Sequence, residues 1–393
     1  MIHNQFSKLK RILAFYIAYI YKTITKQQYL NNLWLISGYG GNEEALFQYI
    51  CENHPEIEVY LIEKNKAVSF DGSLKKDSFI SYIYIQLAQV LICTHSLSHN
   101  LGYTSKELNH ALKVQVFHGV FGLKRKSLDN QRKMNEYDIV IASSEHEKKI
   151  KEKWKIDSNK IYITGLPRHD ILLQKHMKFS AYKKNELGIL YVPTWRVWLK
   201  KGRKQHYLDY IFNRYNASLD EYVNSIQEFL NNERLSAIIK KYNIRFNVFF
   251  HPNMKFYLKK LIGTINKLDN INVINEAKNV QDEIVKNNIL ITDYSSIAWE
   301  FLLLRKPVIF FHFDLAKYLS SGEGSYIDLI GKLFGPVGYE PDEVISIIES
   351  TLMADYFNEH YETLSDKARS KYIPFEDGNN CKRVVNSILL NLK

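Results

Sequence analysis

The sequence predicts an α/β protein with two domains, each built on a parallel sheet, and three observations support this fold class. The chain has 393 residues, a length that fits two to three domains of roughly 150 residues. Apolar residues make up 46% and charged residues 24%, which is typical of globular proteins and not of disordered segments. Short apolar runs alternate with helical stretches, as expected for parallel strands that helices cover on both faces.

The first half of the chain contains a series of strand-like runs. The first run, residues 33–36, is followed by a glycine-rich segment and by a helical pattern over residues 43–50. Later runs with the same apolar character lie at residues 59–62, 90–93, 114–117, 139–141 and 161–163. We expect them to form the sheet of a Rossmann-like domain over residues 31–175.

The second half repeats this plan. Its strand-like runs lie at residues 189–192, 247–250, 271–274, 289–291 and 308–311. The polar segment 173–187 has no strand pattern and is the predicted linker, so the second Rossmann-like domain covers residues 188–375 and a C-terminal helix covers 376–393. Two such domains facing a central cleft make a GT-B-like architecture, in which ligands bind beyond the carboxyl ends of the strands.

The N-terminal residues 1–30 predict a basic amphipathic helix. Residues 12–21 are apolar and lysines flank them on both sides, but crossing a bilayer takes roughly 20 apolar residues. No small-residue cleavage site follows, which argues against a secretory signal peptide. The pattern favours a helix that lies in the headgroup region of an anionic membrane, and a helix packed on the protein's own core is the alternative.

The charge and the cysteines limit the partners and the compartment. Lys and Arg number 53 against 42 for Asp and Glu, so the net charge of +11 indicates an anionic partner. Nucleic-acid motifs are absent and the basic residues are spread widely, which argues against nucleic acid. The three cysteines have no CxxC spacing, so a reducing cytosolic setting is favoured. We therefore expect a peripheral protein on the cytoplasmic face of the cell membrane.

Candidate site residues follow several of the predicted strands. His118 and Gly119 come after the run 114–117, and a histidine there, followed by the basic residue Lys124, can act as a base beside phosphate. A loop histidine beside a solvated charge run is the alternative interpretation. The corresponding residues of the second half and of the C-terminus are Thr194, Arg196, His251, Asp293, Ser295, Ser296, Glu300, Lys382 and Arg383.

Several common chemistries have no support. The sequence contains no GxxxxGK[ST], GxGxxG, GxSxG or HExxH motif. No aspartates have DxD spacing, and the group Cys93, His95 and His99 has no second set of ligands elsewhere, so we predict neither a metal nor a cofactor.

The ordered set of motifs resembles the CDP-glycerol glycerophosphotransferase family, the TagB/TagF-like group of teichoic-acid and capsule-polymer enzymes. The matching segments are His118-Gly119 with a following lysine, residues 164–170 (TGLPRHD), 193–196 (PTWR), His251-Pro252, 292–296 (TDYSS), 305–310 (RKPVIF) and Asp377-Gly378 with Lys382-Arg383. The resemblance covers about residues 33–390, and the chain is closest in size to the shorter, TagB-like primases.

The resemblance implies transfer of glycerol phosphate from CDP-glycerol, or of ribitol phosphate from CDP-ribitol, to a lipid-linked glycan or growing polymer, with release of CMP. His118 is the expected general base, and His251 is the second catalytic histidine. The residues expected to hold the donor phosphates are Arg196, Ser295, Ser296, Lys382 and Arg383. Asp293, Glu300 and Thr194 would orient the donor, and Gly119, Lys124 and Arg168 would lie on the acceptor or phosphate side.

One departure bears on the substrate. Residues 120–124 (VFGLK) replace the TPLK that follows His-Gly in the family, so the polyol and the acceptor stay open. A metal-independent GT-B glycosyltransferase that uses a nucleotide sugar is the alternative enzyme, and a non-catalytic lipid-binding protein is the alternative from another class. Association of the chain with itself also stays open.

Overall fold

The chain divides into two compact units. The first comprises Met1–Val120, Ser127–Ile171 and Lys371–Lys393, and the second comprises Phe121–Lys126 and Leu172–Ser370. The computed structural model describes residues 2–27, 29–30, 32–38, 40–63, 72–125, 128–182, 187–196, 198, 217–250, 254, 271–274, 280–321, 324–353 and 359–392.

The first unit alternates strands and helices as the sequence predicts. Its elements in chain order are α1 (Ile2–Thr25), β1 (Leu33–Ser37), α2 (Asn42–Asn53), β2 (Glu58–Glu63), β3 (Ser73–Lys75), α3 (Phe79–Leu87), β4 (Val90–Cys93), α4 (Leu97–Asn100), β5 (Leu112–Gln115), α5 (Leu128–Met134), β6 (Ile139–Ala142), α6 (Glu145–Lys153), β7 (Ile161–Ile163) and α7 (Pro167–Tyr182).

The first sheet is parallel, with the strand order β3-β2-β1-β4-β5-β6-β7. In the central strand β1, Trp34 pairs with Val59 on one side and with Val90 on the other, and every residue of β1 is buried. The strand order reverses between β1 and β4, which is where ligands bind in open α/β sheets. The segments that follow β1 and β4 lie in close contact, since a Cβ on Gly38 would lie 2.1 Å from Thr94 Oγ1.

The main part of the second unit begins within α7, at Leu172, and it has a sheet of the same kind. Its further elements are β8 (Gly188–Val192), α8 (Ala217–Leu230), α9 (Glu233–Lys241), β9 (Arg245–Phe249), β10 (Ile271–Ile274), α10 (Val280–Lys286), β11 (Ile289–Thr292), α11 (Ile297–Leu303), β12 (Val308–Phe311), α12 (Leu315–Ser320), β13 (Val337–Gly338), α13 (Pro341–Leu352) and α14 (Glu359–Tyr372). The strand order is β10-β9-β8-β11-β12-β13, so the order reverses between β8 and β11.

The last helix, α15 (Asn380–Asn391), belongs to the first unit. The carboxylate of Asp170 accepts the backbone N–H groups of Asn380 and Cys381, at 3.0 and 2.7 Å, and also the side-chain amide of Asn380. These bonds satisfy donors at the first turn of α15 that have no partner within the helix. The TGLPRHD segment, through Asp170, therefore fixes the start of the helix that carries Lys382 and Arg383 of the C-terminal motif.

The predicted fold class of two parallel-sheet α/β units is confirmed. The short edge strands β3 and β13 are not predicted, because few of their side chains are buried and they leave no continuous apolar run. The predicted linker is largely helical, since α7 runs to Tyr182, and the two units divide between Ile171 and Leu172. In the described part of the chain, no helix has the length and apolar character needed to cross a membrane.

Candidate functional site

In the first unit, His118 lies just beyond the carboxyl end of β5. Its ring stacks with two others: the ring centroid lies 4.6 Å from that of His95, with 9° between the planes, and 4.4 Å from that of Phe117, with 30° between the planes. The imidazole is half-buried. Close packing against these two rings restricts the rotation of the His118 side chain.

The backbone around His118 is held as well. An Nη1 atom of Arg168 donates to the carbonyl oxygen of His118 at 2.7 Å and to that of Gly40 at 3.2 Å. Gly40 has φ +113°, and a Cβ there would lie 3.1 Å from the Cβ of His118, so this position requires glycine. The Arg168 guanidinium thus joins the loops that follow β1 and β5.

Two polar residues at the start of α2 complete this edge of the sheet. Asn42 donates to the carbonyl of Phe117 at 2.8 Å and accepts the backbone N–H of Arg168 at 2.9 Å. Burial raises the pKa of Glu43 to about 7, although its own and the Gly41 backbone N–H groups and the charge of Arg168 oppose this rise. A buried carboxyl that titrates near neutrality therefore lies in the same region as His118 and Arg168.

The segment that follows His118-Gly119 divides between the units. Gly119 belongs to the first unit, whereas Lys124 lies in Phe121–Lys126, which belongs to the second. There the carbonyl of Gly122 accepts the Ser325 hydroxyl at 2.8 Å, and a Cβ on Gly122 would lie 2.2 Å from the Trp299 ring. Gly122 of the VFGLK sequence therefore packs closely on Trp299, where a side chain at this position would require a shift.

In the second unit, Arg196 follows β8 and is fully buried. Its Nε and Nη2 atoms donate to the two carboxylate oxygens of Asp314 at 2.7 and 2.9 Å, and Nη2 lies 2.7 Å from Asp293 Oδ2. The remaining nitrogen, Nη1, donates to the carbonyl and the hydroxyl of Thr194. The guanidinium also lies over the ring of Tyr294, 4.7 Å from its centroid.

Asp293 joins the loops after β8 and β11. Its carboxylate accepts the backbone N–H of Thr194 at 3.0 Å and the Thr194 hydroxyl at 2.7 Å. The Nε2 atom of His312 lies 3.1 Å from the carbonyl oxygen of Asp293. Burial lowers the pKa of His312 to about 4, so this histidine is neutral at physiological pH. Asp293 and Thr194 therefore fix each other, and the expectation that they orient the donor stays a prediction.

The geometry does not support phosphate contact for Arg196. All three of its nitrogens are engaged, none of its surface is exposed, and two carboxylates outweigh its single positive charge. Burial by itself would lower the pKa of Arg196, but the carboxylates of Asp293 and Asp314 hold that pKa well above its usual value. In this structure the carboxylates that match its planar fork are provided from within the protein, and the expectation that Arg196 holds the donor phosphate stays a prediction.

The other expected donor residues differ in accessibility. Ser296 is exposed at the start of α11 and makes no side-chain capping bond, whereas Ser295 is buried and its hydroxyl accepts the N–H of Ile297 at 3.3 Å. Glu300 is buried within α11. Of these three, Ser296 is the residue that a ligand can reach in this conformation.

Lys382 and Arg383 lie on α15 and therefore in the first unit. Arg383 pairs with both oxygens of Asp377, at 2.8 and 2.9 Å, and its Nε donates to the Thr164 carbonyl at 2.9 Å. The hydrogen bonds from Arg383 hold the pKa of Asp377 well below its usual range. Arg383 thus ties the C-terminal loop to the strand end of β7, while Lys382 is exposed.

His251 lies outside the described residues. Among the residues that the structure does describe, no group of three or more His, Cys, Asp or Glu side chains is arranged to hold a metal ion. The expectation of a reaction without a metal or cofactor stays a prediction.

Two residues of these sites were missed as site residues by sequence reasoning. The sequence analysis considers His95 only with Cys93 and His99 as metal ligands, yet its ring contacts His118; its place two residues after the strand run 90–93 was the available signal. Asp314 is not among the expected site residues, and its position three residues after β12 was the corresponding signal.

Each unit is a parallel sheet with its strand-order reversal at the edge where these residues gather, and two such units define a GT-B-like protein. The family model of CDP-glycerol:poly(glycerophosphate) glycerophosphotransferases matches residues 19–390. The chain therefore belongs to this transferase family, and the resemblance found in the sequence is confirmed.

Individual relatives are distant. The teichoic acid glycerol-phosphate transferase of Staphylococcus aureus is 20% identical over 417 residues, which cover 97% of this chain and 98% of that protein. The minor teichoic acid biosynthesis protein GgaB of Bacillus subtilis is 24% identical over 379 residues, covering 88% of this chain but 38% of GgaB, so the chain spans under half of GgaB's length. The solved structure of the wall teichoic acid polymerase TagF is similar in fold, with a TM-score of 0.71, 16% identity and coverage of 100% of this chain and 98% of that chain.

Proposed function

We propose that the protein transfers glycerol phosphate from CDP-glycerol to a hydroxyl group of a lipid-linked glycan or growing polymer and releases CMP. Membership of the glycerophosphotransferase family over residues 19–390 is the observation that carries this proposal. The S. aureus relative of matching length is named as a glycerol-phosphate transferase, which supports glycerol over ribitol.

His118 is the proposed general base. The acceptor hydroxyl gives its proton to the imidazole while its oxygen forms a bond to the glycerol-bearing phosphorus, and the bond from that phosphorus to the bridging oxygen of CMP breaks. A neutral imidazole with a pKa near 6.5 suits this proton transfer at physiological pH. The fixed ring of His118 supports the role, because a base must be held within reach of the proton that it accepts.

On the donor side, Ser296 provides an exposed hydroxyl for phosphate, and Asp293 and Thr194 set the shape of the adjoining loops. Arg196 supports these loops through Thr194, Asp293 and Asp314, and its contact with the donor phosphate stays a prediction. On the acceptor side, Arg168 fixes the loop that carries His118. Lys124 and Lys382 stay proposed phosphate contacts.

A panel of donors tests the proposal. The purified chain is incubated with CDP-glycerol, CDP-ribitol or a UDP-sugar, each with and without a polyprenyl-linked glycan, and the free nucleotide is quantified by chromatography. We expect acceptor-dependent CMP release that is fastest with CDP-glycerol, and a product that is heavier by one or more glycerol phosphate units by mass spectrometry.

The other outcomes are distinct. UDP release without CMP release assigns the protein to the glycosyltransferases, and faster turnover of CDP-ribitol reassigns the polyol. If no donor yields free nucleotide, the transferase proposal is wrong and a binding function remains.

We further propose that α1 attaches the protein to an anionic membrane surface. The helix contains basic but no acidic residues, and it packs on α3 through the small side chains of Ala14 and Ala18. Large apolar side chains stay exposed on its other faces: Leu9, Ile12, Leu13, Phe15, Tyr16, Ile17, Tyr19, Ile20 and Ile24. A helix with exposed apolar residues and flanking lysines fits the headgroup region of a lipid bilayer.

Vesicle flotation measures this attachment. Replacing Lys8 and Lys10 by glutamine removes two charges worth about 1 kcal/mol each near an anionic surface, so we expect roughly 30-fold weaker partitioning onto vesicles of phosphatidylglycerol. Phe15→Ser should weaken binding to the same vesicles, whereas Leu390→Ser, which changes an equally exposed apolar residue on α15, should leave it unchanged. Equal binding by all of these variants contradicts the proposed attachment through α1.

A further inference from the structure

His95 and His118 form a pair of stacked imidazoles at one edge of the first sheet. Their ring centroids lie 4.6 Å apart and their planes differ by 9°. Nothing in the family motifs quoted above includes His95, which lies 23 residues before His118 in the chain. The proposed reaction does not yet give His95 a role.

The sheet brings the two histidines together. β4 and β5 are parallel neighbours, with Cys93 opposite Gln115, so the chain leaves both strands at the same edge. His95 follows the end of β4 after Thr94, and His118 follows the end of β5 after Val116 and Phe117. Because both loops are short, the separation of the rings is set by the separation of the strands.

The His95 side of the pair is firmly held. The Thr94 hydroxyl lies 3.0 Å from His95 Nδ1, and the Tyr137 hydroxyl donates a hydrogen bond to the His95 carbonyl. Tyr137 is nearly fully buried, so this bond anchors the loop to the core of the unit. A ring fixed in this way can fix a second ring that stacks on it.

Other charged or titratable groups surround the pair within the first unit. The His99 ring centroid lies 5.3 Å from that of His95, and Lys76 Nζ donates to the His99 carbonyl. The Arg168 guanidinium donates to the His118 carbonyl, and the carboxyl of Glu43 lies near Arg168. Arg168 and Lys76 both oppose additional positive charge at this edge.

Two imidazolium rings at this distance repel each other strongly. The pair therefore accepts a first proton readily and a second only at lower pH, and the two titrations belong to the pair and not to either ring alone. As long as His95 carries the first proton, His118 stays neutral. A neutral imidazole is the form that can accept a proton from an alcohol.

We propose that His95 is a positioning residue for His118, which orients the His118 ring by stacking and keeps it unprotonated to lower pH than a lone histidine would allow. This inference rests on the proposed function, in which His118 is the general base. The stacking of the two rings then has a role in the reaction, which general base catalysis by His118 alone would not require.

The direct test follows the protonation of His118 without any substrate. Imidazole resonances of histidine-labelled protein are recorded by NMR between pH 5 and 8, and the His118 signal is assigned by its loss in His118→Asn. In His95→Phe an uncharged ring retains the stacking, so we expect the His118 midpoint to rise by roughly half to one pH unit. His54→Phe, the same change at a histidine that pairs with Glu56 elsewhere in the unit, should leave the midpoint unchanged.

The pH profile of CMP release gives the second measurement. The acidic limb of kcat/KM should move to higher pH in His95→Phe with kcat at its plateau largely retained, whereas His95→Ala should also lower the plateau because the ring is no longer held. An unchanged His118 midpoint in His95→Phe overturns the inference. Absence of CMP release from the wild-type protein overturns the proposed function instead, and the NMR titration still decides the role of His95.

Discussion

His118→Ala is expected to lower kcat for CMP release by about 10²–10⁴-fold, which is the usual contribution of a positioned general base. The acceptor alcohol would then lose its proton to water, which is a weaker base and is not held in place. The KM for CDP-glycerol should change little, because His118 acts on the acceptor hydroxyl and is not among the proposed donor contacts. Initial rates at several donor concentrations, with a saturating acceptor, separate the two constants.

The variant must remain folded for this result to be informative. His118 is half-buried and its side chain is not part of the hydrophobic core of the unit, so we expect the thermal midpoint to fall by only a few degrees. Added imidazole should restore part of the activity of His118→Ala, since a small base can occupy the vacated space. A fully active His118→Ala, or a loss of activity that matches a loss of folded protein, contradicts the role of base.

The central strands of both sheets could be predicted because they are buried on both faces. In β1 and β12 every residue is buried, and burial on both faces requires the continuous apolar runs from which the strands were located. The edge strand β3 has only partly buried or exposed residues, so nothing in its composition distinguishes it from a loop. Edge strands are fixed by hydrogen bonds to the neighbouring strand, and a single sequence does not record that neighbour.

The candidate site was predictable in position but not in the direction of its side chains. His118 follows a strand of the first sheet, and Arg196 and Asp293 follow strands of the second, because the topology brings the carboxyl ends of the parallel strands within each sheet to the same edge of that sheet. The sequence could not indicate that the Arg196 guanidinium turns inward, since its partner Asp314 lies 118 residues later. Motif residues that bind each other and motif residues that bind a ligand have the same appearance in a sequence.

Arg196→Met is expected to destabilise the second unit by about 3–5 kcal/mol, which is the cost of breaking a buried ion pair by removing one partner. The change leaves the carboxylates of Asp293 and Asp314 buried close together without the cation between them. Their charges then repel each other, which adds to the cost of leaving both carboxylates without a partner.

Denaturant unfolding of the full chain measures this effect, and Arg234→Met provides a matched control in the same unit. Arg234 pairs with Glu349 at 2.8 Å, but its side chain is 46% exposed, so the loss of that pair should cost at most about 1 kcal/mol. The double variant Arg196→Met with Asp314→Asn should be more stable than Arg196→Met alone, because one of the two unbalanced charges is gone. Equal costs for Arg196→Met and Arg234→Met are incompatible with the buried cluster.

Arg196→Lys distinguishes a buried support from a phosphate contact. A lysine keeps the charge but cannot form the paired hydrogen bonds to Asp314 that the planar guanidinium forms, so the buried geometry predicts a loss of about 1–3 kcal/mol in stability. If Arg196 instead touched the donor, the same change would raise the KM for CDP-glycerol and leave the unfolding free energy almost unchanged. Because the two accounts predict opposite patterns in stability and KM, one variant measured both ways decides whether this motif arginine serves the fold or the substrate.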